Sequence, residues 1–361
     1  MLPSRIVRLR AYGVPAAHAA PRGQGPGLEI MRLTLADGSE GFAGTSGDGT
    51  VFQPDAGAVA HCLIGGDAGS RAGFIDVLAA AGMSKGVASL CDIALWDAWG
   101  RHLHVPLWQL LGGFRERLPA CAVLAEHTSA ESALDDVRRV AAMGYRGVKL
   151  RLGTDPDFDL ELVGIVAAAF ADNELRFLAD LGQRYDFDAA VRLGRCLADL
   201  GFERMEAPFP DDDVDGYAAL RRAVAIDVLP FGGVSADSRT WLDGLRGGTW
   251  SRLRADACTG GGFTGLLQAM ALAEAMAVPA ELCSLGHPPA QVANLHLMLG
   301  VPGCTWFEHG NPLRPLDYGV LSPLAIDAEG RMAAPEGPGL GLVMDWARIE
   351  ADAAATFDSG A

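Results

Sequence analysis

Residues 175–180 (LRFLAD) and 202–208 (FERMEAP) are short apolar runs that each end in or contain a carboxylate, Asp180 in the first and Glu206 in the second. Between them, residues 188–200 carry Ala, Leu and Arg with apolar side chains at helical spacing. The pattern predicts a strand, a helix and a second strand, with an acid at the C-terminal end of each strand. Parallel α/β folds present metal-binding and catalytic groups at these ends. Two solvated carboxylates at strand ends are the alternative.

The same alternation of short strands and Ala/Leu-rich helices continues along the chain from residue 118. Eight such units, repeated at similar intervals, predict an α/β fold with a closed parallel barrel of the TIM type. An open doubly wound sheet is the alternative, but no early glycine fingerprint supports it. We predict the barrel strands at residues 119–124, 147–152, 176–181, 203–208, 227–232, 252–257, 279–284 and 304–308.

The regions before and after the barrel have a different composition. Residues 4–12 and 28–36 alternate as in a β-hairpin, and residues 53–82 and 85–111 have helical patterns. We therefore predict three segments: an α+β domain over 1–115, the barrel over 116–325 and a tail over 326–361 that returns to the first domain.

Charge and cysteine usage exclude some classes of function. The chain of 361 residues has a net charge of −16 and no basic block, which argues against a nucleic-acid partner. No apolar run reaches about 18 residues, so we expect no membrane span. The seven cysteines are scattered without metal-type spacing, which is typical of reduced thiols and predicts a cytoplasmic protein.

In a parallel barrel the functional side chains lie at the C-terminal ends of the strands. The fifth predicted strand ends without an acid. The residues that the other strands present are Lys149 and Arg151, Asp180, Glu206, Asp256, Cys283 and Glu308.

Several motifs occur in the order found in one known family. Residues 94–100 (ALWDAWG) precede the barrel, 147–151 (GVKLR) resemble a KxK strand and 205–208 (MEAP) resemble an x-E-E/Q-P strand. Residues 261–264 (GGFT) and 338–341 (PGLG) follow in the same order. On these motifs the chain resembles the mandelate racemase/muconate lactonizing enzyme family of the enolase superfamily, nearest the mandelate-racemase-like subgroup.

The resemblance implies a fold and a chemistry. It implies a modified barrel of the (β/α)7β type, an N-terminal capping domain that the C-terminal tail completes, and a homo-oligomer. In this family three carboxylates hold Mg²⁺, which binds the substrate carboxylate while bases remove its α-proton. The expected partner is then a small carboxylate, and the expected reactions are those of acid-sugar or hydroxy-acid dehydratases, racemases and epimerases.

The metal ligands carry over incompletely. Asp180 and Glu206 match two ligand positions, but the third falls on Ser235, a weak neutral ligand. Asp237, two residues later, could substitute for it. The resemblance therefore implies a Mg²⁺ site that is weak or absent.

The proton-transfer positions also depart from the family. Lys149 matches the lysine that contacts the substrate carboxylate, whereas Arg151 stands at the base position, where a guanidinium does not accept a proton. Asp256 matches the aspartate of a His–Asp dyad, but Cys283 stands where the family has its histidine. Glu308 matches the glutamate of the last strand.

Two hypotheses therefore remain. Either the chain is a divergent enzyme in which Lys149, Asp256 or Cys283 moves protons, or it is a homologue with a degenerate active site that binds a small anion. Three departures, in the third ligand and in both bases, favour the second slightly. A thiol–imidazole pair of Cys283 with His287 is a weaker alternative, because Asp256 would raise the pKa of the thiol.

Overall fold

The computed structural model describes residues 3–21, 25–47, 55–153, 155–232 and 238–360. An antiparallel sheet and a set of helices form the N-terminal part. The sheet has the strand order β13-β1-β2-β3, so one of its two outer strands, β13, comes from the tail. Its strands are β1 (Ile6–Val14), β2 (Gly27–Leu35), β3 (Glu40–Gly47) and β13 (Ala355–Asp358), and the helices are α1 (Ala16–Ala19), α2 (Ala56–Leu63), α3 (Arg71–Ala80), α4 (Lys85–His102) and α5 (Leu107–Leu110).

The described part of the chain then forms eight barrel strands with helices between them. The strands are β4 (Arg117–Glu126), β5 (Gly147–Arg151), β6 (Arg176–Asp180), β7 (Arg204–Glu206), β8 (Asp227–Leu229), β9 (Leu253–Ala255), β10 (Ala280–Leu282) and β11 (Phe307–Gly310). The helices are α6 (Ala130–Ala142), α7 (Pro156–Ala169), α8 (Phe187–Asp199), α9 (Val214–Ala223), α10 (Ser238–Arg246), α11 (Gly262–Ala275) and α12 (Pro288–Gly300). The tail adds β12 (Arg331–Ala333) and α13 (Trp346–Asp352).

The wall of the barrel is parallel. Ladders run in the order β11-β4-β5-β6-β7-β8, so the last strand pairs with the first, and β9 pairs with β10. Between β8 and β9, Ser251 N donates to Val228 O at 3.0 Å. The predicted fold class, a modified TIM barrel with a capping domain completed by the tail, is confirmed.

Asp97 on α4 holds the sheet, the helix and the tail together. Its Oδ2 accepts a hydrogen bond from Phe42 N at 2.9 Å, and its Oδ1 accepts one from Leu340 N at 2.7 Å. Gly41 permits the close approach of β3 to α4, since a Cβ at Gly41 would lie 2.2 Å from Ala98 N. The motif at residues 94–100 therefore has a structural role at this junction.

Two helical predictions are wrong in their extent. Residues 53 and 54 lie outside the described residues, and residues 55–82 do not form one helix, because Gly65, at φ 89°, and Gly66 separate α2 from α3. Residues 85–111 form α4 and α5, and Pro106 directly precedes α5, where its ring cannot continue the first helix. No helix among the described residues combines the length and apolar content needed to cross a bilayer.

Candidate functional site

Six charged side chains fill the interior of the barrel. Successive inward residues of a strand are two apart, so each strand presents its side chains in layers. All six are at most 2% exposed, and three are cations and three are carboxylates, which gives a balanced buried network. The interior network consists of Lys149, Arg204, Arg254, Glu206, Glu281 and Glu308.

Lys149 lies between two of these carboxylates. Its Nζ donates to Glu206 Oε2 at 3.0 Å and to Glu308 Oε2 at 2.8 Å. Burial opposes the charge of the amine, but the two carboxylates outweigh it and raise the pKa of Lys149 well above its ordinary value. The side chain is fully buried and stays protonated, so it is not placed to act as a base on a ligand in the mouth.

Arg254 occupies the remaining oxygen of Glu206. Its Nη2 lies 2.9 Å from Glu206 Oε1 and 2.7 Å from Glu308 Oε2. Burial would raise the pKa of Glu308, but Arg254 and Lys149 hold it well below its usual range. Both oxygens of Glu206 are therefore already paired with cations of the protein itself.

Three members of the interior network were not predicted from the sequence. Arg204 Nη1 lies 2.8 Å from Glu281 Oε1, and Arg204 Nη2 lies 3.4 Å from Glu308 Oε1. The sequence does contain a pattern that points to these three residues. Arg204, Arg254 and Glu281 each precede a predicted mouth residue by two positions, and strand alternation turns such residues to the same face.

Asp180 and Arg151 lie at the C-terminal ends of β6 and β5, with Asp180 in register with Glu206 of the interior network. Asp180 is 1% exposed, and its Oδ1 accepts a hydrogen bond from Gly182 N at 3.0 Å. Its Oδ2 has no hydrogen bond from the described residues and lies 3.5 Å from Arg151 Nε. The side chain of Arg151 is 36% exposed and so reaches the mouth.

The described residues do not fit a Mg²⁺ ion. This ion takes near-octahedral oxygen ligands and is usually held by carboxylates. Here Glu206 offers no unpaired oxygen, and the one uncommitted oxygen of Asp180 faces the Arg151 guanidinium. None of the described His, Cys, Asp and Glu side chains form a group of three that could hold a metal. Ser235 and Asp237, proposed for the third ligand, lie outside the described residues.

Cys283 is buried and Asp256 is half-buried. Asp256 Oδ1 accepts hydrogen bonds from Asn294 Nδ2 and Cys258 N, each at 2.9 Å, and burial raises the pKa of its carboxyl group. Burial also raises the pKa of the Cys283 thiol to about 12, so the thiolate is scarce at neutral pH. His287 directs its Nε2 at Pro26 O, 3.4 Å away.

A cavity of about 290 Å³ lies at the barrel mouth, where Gly25 and Pro26 of the N-terminal part contribute to its wall. Its polar side chains are Arg151, Asn311 and Arg314, and its other lining residues are apolar or glycine: Gly25, Pro26, Val123, Leu124, Ala125, Leu285, Gly286, Gly310 and Leu316. Among the described site residues that the sequence predicted, Arg151 lines this mouth cavity. The sequence does not reveal Asn311 and Arg314, because they follow the last barrel strand and lie beyond the strand ends at which functional side chains are expected.

The fold and the position of this cavity define a two-domain protein of the enolase type. Residues 132–348 match the model of the enolase C-terminal domain-like family, and residues 19–112 match that of the mandelate racemase/muconate lactonizing enzyme N-terminal domain. The chain belongs to the mandelate racemase/muconate lactonizing enzyme family.

Individual relatives agree with this assignment. The chain is 28% identical over 344 residues to 3,6-anhydro-alpha-L-galactonate cycloisomerase of Streptomyces coelicolor, covering 89% of this chain and 90% of that one. It is 27% identical over 275 residues to D-galactarolactone cycloisomerase of Agrobacterium fabrum, covering 72% of each. The crystal structure of D-glucarate dehydratase from Agrobacterium tumefaciens, complexed with magnesium, has the same fold, with a TM-score of 0.86 at 24% identity over 98% of this chain and 100% of that one.

Proposed function

We propose that this protein binds a small carboxylate in the mouth cavity, with Arg151 and Arg314 as the cationic contacts, and lacks the metal-assisted proton abstraction typical of its family. The observation that carries the proposal is the pairing of Glu206, whose two oxygens contact Lys149 and Arg254 at 3.0 and 2.9 Å. A metal cation at this carboxylate would have to compete with two buried cations of the protein.

The charge of the mouth supports an anionic ligand. The cavity contains two guanidinium side chains, and a guanidinium matches the geometry of a carboxylate through two parallel hydrogen bonds. Asp180, which pairs with Arg151, is buried and does not line the cavity. The remaining walls are largely apolar, which suits a short carbon chain between polar ends.

A divergent enzyme is the second candidate. The relative from Streptomyces coelicolor aligns over 89% of the chain and is a cycloisomerase, which favours retained chemistry on a carboxylate substrate. Under this hypothesis Asp256, Cys283 or Lys149 would move the proton in a dehydratase, racemase or epimerase reaction. The burial of Lys149 and Cys283 and the two hydrogen bonds that Asp256 Oδ1 accepts weigh against it.

Calorimetry with Mg²⁺ and Mn²⁺ tests the metal part of the proposal. The natural protein should bind neither ion with a Kd below about 1 mM. Ser235→Glu, which restores the acid that the family has at this position, is the comparison variant. Tight metal binding by the natural protein would overturn the proposal. Proton exchange in D₂O, or loss of water from an acid sugar, would establish the enzyme hypothesis instead.

Calorimetry with adipate, a six-carbon dicarboxylate, tests the anion site. Arg151→Gln and Arg314→Gln should each weaken binding about tenfold to a hundredfold, because each removes a charge-assisted hydrogen bond. Arg138→Gln is the matched control, since Arg138 is exposed on α6 and pairs there with Asp135. Equal affinities in all four proteins would contradict the assignment of the two arginines.

Two further expectations stay part of the proposal. The cysteines that the structure describes are all free thiols, which supports a reducing compartment such as the cytoplasm. A homo-oligomer follows from the family alone. Size-exclusion chromatography with light scattering tests it.

A further inference from the structure

A second, more polar cavity adjoins the mouth cavity. Its volume is about 220 Å³, and it lies between the end of β4, helix α6 and the turn after β11. Ala125, Asn311 and Arg314 line both cavities, so the two are neighbouring lobes with a common wall. We call this second space the His127 lobe, after the buried histidine that lines it.

His127 is held by one ring nitrogen only. The residue is 7% exposed, and its Nε2 lies 3.2 Å from Asp136 Oδ2. A carboxylate only accepts hydrogen bonds, which assigns the proton in this contact to Nε2. Asp136 is itself fixed by Arg139, whose Nη1 donates to Asp136 Oδ1 at 3.0 Å.

The other ring nitrogen, Nδ1, is buried without a hydrogen-bonding partner among the described residues. With the proton on Nε2, the neutral ring carries a lone pair on Nδ1 and so presents an acceptor. Most buried polar atoms are paired, and an unpaired one in native structures requires an explanation. A hydroxyl group of a ligand in the lobe would supply the missing donor.

We propose that the His127 lobe binds the hydroxylated part of a small hydroxy-carboxylate, with His127 Nδ1 accepting a hydrogen bond from a ligand hydroxyl and Arg314 holding the carboxylate at the common wall. The inference rests on the proposed function for the binding of the ligand carboxylate. It adds His127, which is not part of the interior network, as a recognition residue. Ser132, Thr128 and Asn311 supply further hydrogen-bonding groups to the same lobe.

Galactarate and adipate form a matched pair of probes, since both are six-carbon dicarboxylates and only galactarate carries hydroxyl groups. Two variants separate the roles of the ring nitrogens. His127→Asn keeps a polar atom near the position of Nδ1, whereas His127→Gln keeps one near Nε2 and its contact with Asp136.

Calorimetry should show that the natural protein binds galactarate more tightly than adipate. His127→Gln should lose about tenfold in affinity for galactarate and none for adipate, while His127→Asn stays within about threefold for both. Unchanged adipate binding shows in the same experiment that each variant is folded.

If His127 acts only through its contact with Asp136, the order of the two variants should reverse. His127→Gln should then keep its affinity for galactarate, and His127→Asn should lose affinity. That order, equal effects on both probes, or equal affinity of the natural protein for the two probes would overturn the inference and leave the proposed function standing. Failure of both probes to bind would overturn the proposed function and this inference together.

Discussion

Arg254 Nη2 lies 2.9 Å from Glu206 Oε1 inside the barrel, where both side chains are at most 2% exposed. The family resemblance implies that Glu206 stands at a metal-ligand position. Burial opposes the charge of Arg254, but Glu206 and Glu308 outweigh it and raise the pKa of its guanidinium further above its ordinary value. The protein therefore places a positive charge of its own chain at the carboxylate for which the resemblance implies a metal-binding role.

Removing this cation should destabilise the protein strongly. Arg254→Met leaves Glu206 and Glu308 short of a buried partner, and breaking a buried pair from one side costs about 3–5 kcal/mol. Urea unfolding should show this decrease in the free energy of unfolding. Adding Glu206→Gln to the same protein should recover part of the loss, because it removes one of the carboxylates left short of charge.

Arg138→Met is the control for this measurement, since that arginine forms an exposed pair with Asp135. We expect its unfolding midpoint to stay near that of the natural protein. An equally small effect of Arg254→Met would show that the interior network does not hold the barrel together.

His296 should make the protein sensitive to mild acid. Its Nδ1 accepts a hydrogen bond from Trp108 N at 3.0 Å, and its Nε2 lies 3.1 Å from Leu340 O, so the buried ring is neutral with both nitrogens engaged. Burial lowers its pKa to about 4. The unfolded chain, with a pKa near 6.5, therefore binds more protons between these values, and the stability present above pH 6.5 is lost as the pH falls towards 4.

This group should contribute a decrease of about 2 kcal/mol in the free energy of unfolding between pH 7 and pH 5. His296→Gln does not titrate there and should show a smaller decrease than the natural protein. His61→Gln, an exposed position on α2, should keep the full decrease. Urea titrations at the two pH values provide the comparison, and identical pH dependence of all three proteins would contradict the assignment to His296.

The thiols should differ sharply in reactivity. Cys283 is buried with a pKa of about 12, and Cys62 and Cys196 are half-buried near the surface. Since the thiolate is the reactive form, an aromatic disulfide reagent at pH 8 should modify Cys62 and Cys196 well before Cys283. Peptide mapping by mass spectrometry after timed quenching measures this order, with urea-unfolded protein as the control for equal labelling. Early labelling of Cys283 would revive the catalytic-thiol hypothesis.

The junction of cap and tail should depend on Asp97. Asp97→Asn keeps one acceptor oxygen in place of two, so either Phe42 N or Leu340 N loses its partner. An unsatisfied buried donor costs about 1–3 kcal/mol, and the thermal unfolding midpoint should fall accordingly. Asp135→Asn on the surface of α6 is the control. A midpoint unchanged from that control would argue that the junction tolerates the loss.

The sequence predicted the fold more completely than the site. Strand positions follow from apolar runs and turns, so the observed β5 and β6 begin at the predicted residues 147 and 176. The depth of a side chain inside the barrel is different, because it depends on the stagger of all eight strands at once. The sequence therefore predicts Lys149 at the mouth, whereas the structure buries it among the interior carboxylates.

Two of the cavity residues that the sequence does not reveal come from outside the barrel strands. Arg314 follows the last strand by four residues, and His127 directly follows β4. Neither belongs to a recognisable motif, and the contact of His127 with Asp136 depends on how α6 packs against the barrel. Only the arrangement in space shows that Arg314 lies in the wall between the two cavities.

The pairing of β13 with β1 has a consequence for the order of assembly during synthesis. Asp358 lies opposite Arg10, so the sheet of the capping domain joins residues from the two ends of the described chain. Domains generally fold as units while the chain emerges from the ribosome, N-terminal parts first. Here β1 can pair with β2 early, but its other edge stays unpaired until residues 355–358 have been made, which is after all eight barrel strands.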